Sequence, residues 1–83
     1  MKITDVRIRK IEGRERLRGI ASITLDDCFV VHEIKIIDGD NGLFIAMPSR
    51  KNSAGEFKDL AHPILAETRK EIEDAVLKAF NEA

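Results

Sequence analysis

The sequence predicts a small α+β domain, a dimeric antiparallel β-sheet of four to five strands packed by one C-terminal α-helix. Three observations predict it. Residues 28–49 hold two runs rich in β-branched and aromatic residues around a DGDNG turn, a strong hairpin signal. Residues 2–11 and 17–25 alternate apolar and polar with period two. From residue 64 onward the apolar positions recur instead at three- and four-residue steps, the period of an amphipathic helix. With 83 residues the chain makes a single domain, residues 1–83, with strands expected within 2–60 and a helix over about 63–81.

In the first strand Thr4, Val6 and Ile8 share one face, and Asp5, Arg7 and Arg9 share the other. Gly13 sits in a charged turn, Glu12–Glu15. Leu17, Gly19, Ala21, Ile23 and Leu25 form the inward face of the second strand. A hairpin closed by that turn sets Ile11 opposite Arg16 and Arg9 opposite Arg18. Arg7, Arg9, Arg16 and Arg18 then cluster on the wet face, where like charges in opposition cost stability and gain from a bound anion. The competing reading is a solvated charged face that keeps the sheet from aggregating.

Asp26-Asp27 turns the chain into the central hairpin, read as strands over Cys28–Ile37 and Leu43–Ser49. With a turn over Asp38–Gly42, Ile37 faces Leu43, Lys35 faces Ile45 and Glu33 faces Met47. The opposite face carries Ile36 with Phe44 and Ile34 with Ala46. Both faces are then substantially apolar, unlike a sheet with one wet side. One face takes the chain's own helix, and a second subunit is the expected cover for the other. Cys28 is read as a small buried hydrophobe, and His32 as a structural histidine on the face of Ile34 and Ile36.

Pro48 ends the ladder, and Ser49–Glu56 forms an exposed loop or hairpin tip. Phe57 and Leu60 are expected to return to the core, together with Phe44 and Phe80. His62-Pro63 starts the helix, with Pro63 in the first turn and His62 at the N-cap position. Ile64, Leu65, Thr68, Ile72, Ala75, Val76, Ala79 and Phe80 make its apolar stripe.

Composition narrows the function. A domain of this size buries only about 60% of its unfolded surface, so dimerisation would help its stability. There is no signal-peptide pattern and no apolar run long enough to span a bilayer, so a cytoplasmic protein without a membrane partner is expected. The net charge of −1 divides into +4 over residues 1–20, −2 over 21–58 and −3 over 59–83. A basic front end on a near-neutral chain marks an anionic partner, but bulk charge does not drive unselective nucleic-acid binding here. No Gly-rich phosphate loop, zinc spacing, carboxylate dyad or nucleophile–histidine arrangement can be built from the chain. No enzyme activity, metal, cofactor or small-molecule substrate is therefore expected. Arg50 and Lys51, at a loop tip, are placed to reach a phosphate backbone or to serve as solubilising charges.

TDVRIRKI, then ASITLDDCFVVHEIKIIDGDNGLFIAMPSRK, then GEFKDLAHPI and a closing helix resemble the stage V sporulation protein G (SpoVG) family over essentially the whole chain. The resemblance implies a small dimeric bacterial regulator, associated with septation and sporulation, that binds DNA and in some members RNA. It assigns binding to basic positions in the second half, here Arg50, Lys51 and Lys58 in the loop region and Arg69 and Lys70 on the helix. The helix is acidic overall, which shifts weight to Arg50 and Lys51. The alternative is a protein-interaction adaptor of the division or sporulation machinery, working through an open sheet edge or the acidic helix.

Overall fold

The computed structural model describes residues 1–13 and 15–83, so Arg14, in the Glu12–Glu15 turn, lies outside the described residues. Among the described residues six strands precede one helix: β1 (Ile3–Lys10), β2 (Leu17–Leu25), β3 (Phe29–Gly39), β4 (Gly42–Ala46), β5 (Ser49–Lys51), β6 (Phe57–Asp59) and α1 (Ala66–Glu82). The first four form an antiparallel meander in the order β1-β2-β3-β4, and β5 and β6 form a separate two-stranded ladder. The α+β architecture is as the sequence implies.

The core lies between the sheet and α1. Ala21, Ile23 and Leu25 from β2, Ile34 and Ile36 from β3, and Ile45 and Met47 are buried against Ile72 and Val76 of the helix. Val6 and Ile8 of β1 pack on this core from the side, with Leu77 and Phe80. These residues alternate along the strands and recur every four along the helix, so each element buries one face.

Two ladder registers differ from the expected ones. In the β3–β4 hairpin Ile36 opposes Ile45, Ile37 opposes Phe44 and Lys35 opposes Ala46, a slip of one residue. The loop is only Asp40-Asn41, because Gly39 and Gly42 close it. Gly42 takes a φ of 115°, open to glycine alone at little cost, and a Cβ on Gly39 would stand 2.7 Å from a ring carbon of Phe44. The slip exchanges Phe44 and Ala46 on the core face for Ile45 and Met47, giving a compact aliphatic layer. Phe44 is left 43% exposed on the outer face rather than in the core.

In the β1–β2 hairpin the slip is two residues. Arg9 opposes Ile20, not Arg18, and Lys10 opposes Gly19. The Ile11 N–H, expected opposite Arg16, donates to the Arg18 carbonyl at 3.0 Å. An even slip keeps every side chain on its face while separating the arginines, which removes the like-charge opposition.

Two bulges in the β2–β3 ladder set side-chain direction. Ser22 faces both His32 and Glu33, and Glu33 holds a left-handed φ of 64°. The extra residue lets Val31 meet Ile23 and Ile34 meet Ala21 on the same inner face. His32 is accordingly exposed and shares a 2.9 Å hydrogen bond with the Ser22 hydroxyl, away from Ile34 and Ile36. Glu33→Val, which adds β-branching at positive φ, should lower the unfolding free energy by about 1–3 kcal/mol, whereas Glu33→Gly should not lower it. Urea denaturation of the two variants measures the difference.

Asp26 and Asp27 take φ of 50° and 56°, and the Leu25 carbonyl accepts from the Cys28 N–H at 3.0 Å. This is the primed-turn geometry that suits a hairpin's twist, and aspartate tolerates it. Cys28 is therefore exposed in the turn rather than buried on a strand. The helix begins at Ala66, three residues later than expected. Leu65, not His62, holds the N-cap position, with extended backbone and no side-chain cap. Without a capping oxygen at residue 62, Pro63 alone does not start a helix. The chain instead crosses residues 60–65 without regular structure to return from the β5–β6 ladder, leaving Ile64 and Leu65 exposed.

Candidate functional site

The β5–β6 ladder is an arm that stands off the sheet. Pro48 has no N–H to offer β3, so β4 stops at Ala46 and the chain turns away. Asn52 closes the tip. Its backbone N–H donates to the Glu56 carbonyl at 2.8 Å, and its side-chain Oδ1 accepts from the N–H groups of Ala54 (2.9 Å) and Glu56 (3.0 Å). This local capping lets three-residue strands persist with little packing. At the base the Leu60 N–H donates to the Pro48 carbonyl at 2.7 Å. Residues 50–62 are all exposed, so Phe57 and Leu60 do not return to the core.

The register of the arm organises its charge. Arg50 lies directly opposite Lys58, and Lys51 lies opposite Phe57. Directly opposed residues share a face, so one face of the arm carries two cations side by side and the other a cation beside an aromatic ring. The Lys51 ammonium is 5.9 Å from the centre of the Phe57 ring, a weak exposed cation–π contact. Among the described residues, none of these three cations has a carboxylate within 4.0 Å. The Arg50–Lys58 opposition disfavours the free arm, and an anion seated between them relieves it.

The other predicted positions are differently placed. An Arg69 guanidinium nitrogen donates to the Ile45 carbonyl at 3.0 Å, which ties α1 to the outer edge of β4. Lys70 pairs with Asp74 at 3.4 Å along the helix. At the other end of the chain, Arg7 pairs with Asp5 (3.1 Å), Arg16 with Asp40 (2.9 Å) and Arg18 with Asp38 (3.1 Å). The β1–β2 slip and the bulge at Arg18 carry these last two arginines to the β3–β4 turn. Of Arg7, Arg9, Arg16 and Arg18, the predicted cluster, only Arg9 lacks a carboxylate partner among the described residues. Sequence reading missed Asp38 and Asp40 as arginine partners, since the pairing crosses 20 and 24 residues. Phe57 was missed as a neighbour of Lys51, although the FKD alternation marks a strand opposing SRK.

Fold and arm together define a small α+β domain whose one helix seals one face of a four-stranded sheet and whose unneutralised cations project on a hairpin. The SpoVG family model matches residues 1–82, and the chain belongs to that family. It is 61% identical over 83 residues to a relative from Clostridioides difficile, covering all of this chain and 90% of the relative. A relative from Caldicellulosiruptor bescii is 61% identical over 80 residues, 96% of this chain and 91% of the other. A third, from Phytoplasma australiense, is 58% identical over 82 residues, 99% of this chain and 85% of the other. All three bear SpoVG's provisional name as a septation protein. No helix among the described residues is long and apolar enough to cross a membrane.

Proposed function

We propose that this protein is a non-enzymatic, dimeric nucleic-acid-binding regulator, tied through its family to septation and sporulation. It grips the phosphate backbone of DNA, or of RNA, through Arg50, Lys51 and Lys58. The observation that carries this reading is the direct opposition of Arg50 and Lys58 on an exposed arm with no carboxylate to neutralise them. Arg69 and Lys70 play a supporting part, with donors left over after their contacts to Ile45 and Asp74.

Phosphate contacts give affinity and position but little sequence information. The arm has one aromatic ring and no helix free to enter a groove, so selectivity is modest. Fluorescence anisotropy of labelled duplex DNA and single-stranded RNA, titrated at several salt concentrations, tests the reading. Three phosphate contacts per chain predict a log–log salt slope of about −3 for each bound chain on duplex, slightly shallower on single strands. Flat titrations with both ligands at low salt would sink the proposal and favour the adaptor reading.

A further inference from the structure

α1 and the core lie on one face of the four-stranded sheet, and the registers decide what the opposite face presents. Arg9, Ile20, Lys35 and Ala46 stand directly opposite one another across β1, β2, β3 and β4. The next rung on that face, two residues along β3, runs Leu17, Ile37 and Phe44. A row with two cations therefore flanks an apolar row that ends in an aromatic ring.

Both cations are free to take a ligand. Arg9 is exposed and Lys35 half-buried, and among the described residues neither has a carboxylate within 4.0 Å. Arg7, also on this face, is occupied by Asp5 at 3.1 Å. Glu33 shares a hollow with Arg7 and Arg9 but pairs with neither. Phe44 is 43% exposed, yet its ring is held in place. A Cβ on Gly39 would stand 2.7 and 2.9 Å from two of its ring carbons, so one edge of the ring rests on bare backbone. A ring already fixed in this way loses little freedom when something stacks on it.

We propose that this face is a platform for single-stranded nucleic acid, on which Phe44 stacks an unpaired base while Arg9 and Lys35 hold neighbouring phosphates. Charge selects that occupant. A second copy laid on the same face would bury two unpaired cations per chain, whereas an anionic strand pairs with them. Lys35 lies about 7 Å from Ile37 along β3, and Arg9 about 10 Å from Lys35 across two strand spacings, so a base over Phe44 keeps its phosphates within side-chain reach. Every base has a π-face, and a duplex keeps those faces stacked inside itself, so the platform favours single strands of any sequence. This inference shares its class of ligand with the arm reading but rests on different residues.

The chain has no Trp, so Phe44→Trp places a single indole reporter on the platform. Its fluorescence should be quenched by oligouridylate or oligothymidylate single strands and not by duplex DNA. In anisotropy titrations Phe44→Ala should weaken single-strand binding by about five- to one-hundred-fold and leave duplex binding unchanged. Phe44→Leu, apolar but without a π-face, should lose nearly as much, and Phe44→Tyr should restore the parent's affinity. Arg9→Ala and Lys35→Ala should each flatten the single-strand salt slope by about 0.7. Far-UV dichroism and melting curves of every variant should match the wild type. Single strands that bind Phe44→Ala like the parent, or bind Phe44→Trp without quenching it, would overturn the platform and leave the arm reading intact. An indole emission that shifts to the blue with protein concentration alone would place a second copy on this face and overturn the platform as well. Quenching that persists at parental affinity when Phe44→Trp is combined with Arg50→Ala/Lys58→Ala would support the platform and remove the arm.

Discussion

Ile36→Ala should lower the free energy of unfolding by about 2–5 kcal/mol, a large share of the 5–15 kcal/mol typical of a domain. Ile36 is fully buried, opposes Ile45 across the hairpin, and its Cδ1 lies 3.5 Å from where a Cβ on Gly19 would stand. Gly19 is itself pressed between the Arg9 carbonyl and the Phe80 ring, so the layer has no spare side chain to collapse into the gap. Truncation there leaves a cavity as well as losing buried area, and both terms add. Ile37, one residue on, points to the outer face opposite half-exposed Phe44, so Ile37→Ala should cost less than half as much. Urea denaturation at one fixed protein concentration compares the two variants, with concentration held because dimerisation would stabilise both. Equal losses would contradict the observed register and restore the one that puts apolar residues of both strands on both faces.

Element types were legible because they depend on local periodicity. The alternation at Thr4–Ile8 and Leu17–Leu25 and the four-residue step from Thr68 to Ile72 to Val76 need no tertiary information. Registers were not legible, because a ladder slides freely until turns and bulges fix it. The two-residue Asp40-Asn41 loop depends on Phe44 lying against Gly39, and the Glu33 bulge depends on Ala21 and Ile23 both demanding inward partners. Neither contact is visible along one strand. Phe57 and Leu60 read as inward on hydrophobicity, and Ile64 and Leu65 on helical spacing, but Pro48 carries the chain away from the sheet and the helix starts only at Ala66, so all four stay exposed. The arm cations were legible as residues, whereas their opposition across Ser49–Lys51 and Phe57–Asp59 required the register. The N-terminal arginines show the converse. The four clustered arginines suggested an anion site, yet Arg7 pairs with Asp5 along its own strand, and the fold brings Asp40 to Arg16 and Asp38 to Arg18.

Arg50→Ala/Lys58→Ala should reduce nucleic-acid affinity at low salt by at least ten-fold and flatten the salt slope by about two units per chain. The sign of its effect on stability separates lost contact from lost structure. Arg50 and Lys58 repel one another across the arm, and neither has a carboxylate within 4.0 Å among the described residues. Removing both relieves a like-charge pair without breaking an ion pair, so melting should stay level or rise slightly. Arg50→Ala/Lys51→Ala removes one cation from each face of the arm and should give a similar flattening. If the opposed face is the main contact, it leaves more affinity than the Arg50/Lys58 double change. Arg16→Ala/Arg18→Ala is the control on the alternative cluster. It deletes two cations already paired with Asp40 and Asp38, so it should leave the salt slope unchanged while exposing two uncompensated carboxylates. Arg69→Ala is the less informative probe, because losing its bond to the Ile45 carbonyl loosens the helix on β4 whether or not nucleic acid is present. Anisotropy titrations of these variants against the parent, each with a melting curve, decide the matter. An arm variant that binds like the parent removes the arm from the interface. A loss confined to Arg16→Ala/Arg18→Ala would move the site to the β3–β4 turn, where those arginines would have to exchange aspartate for phosphate.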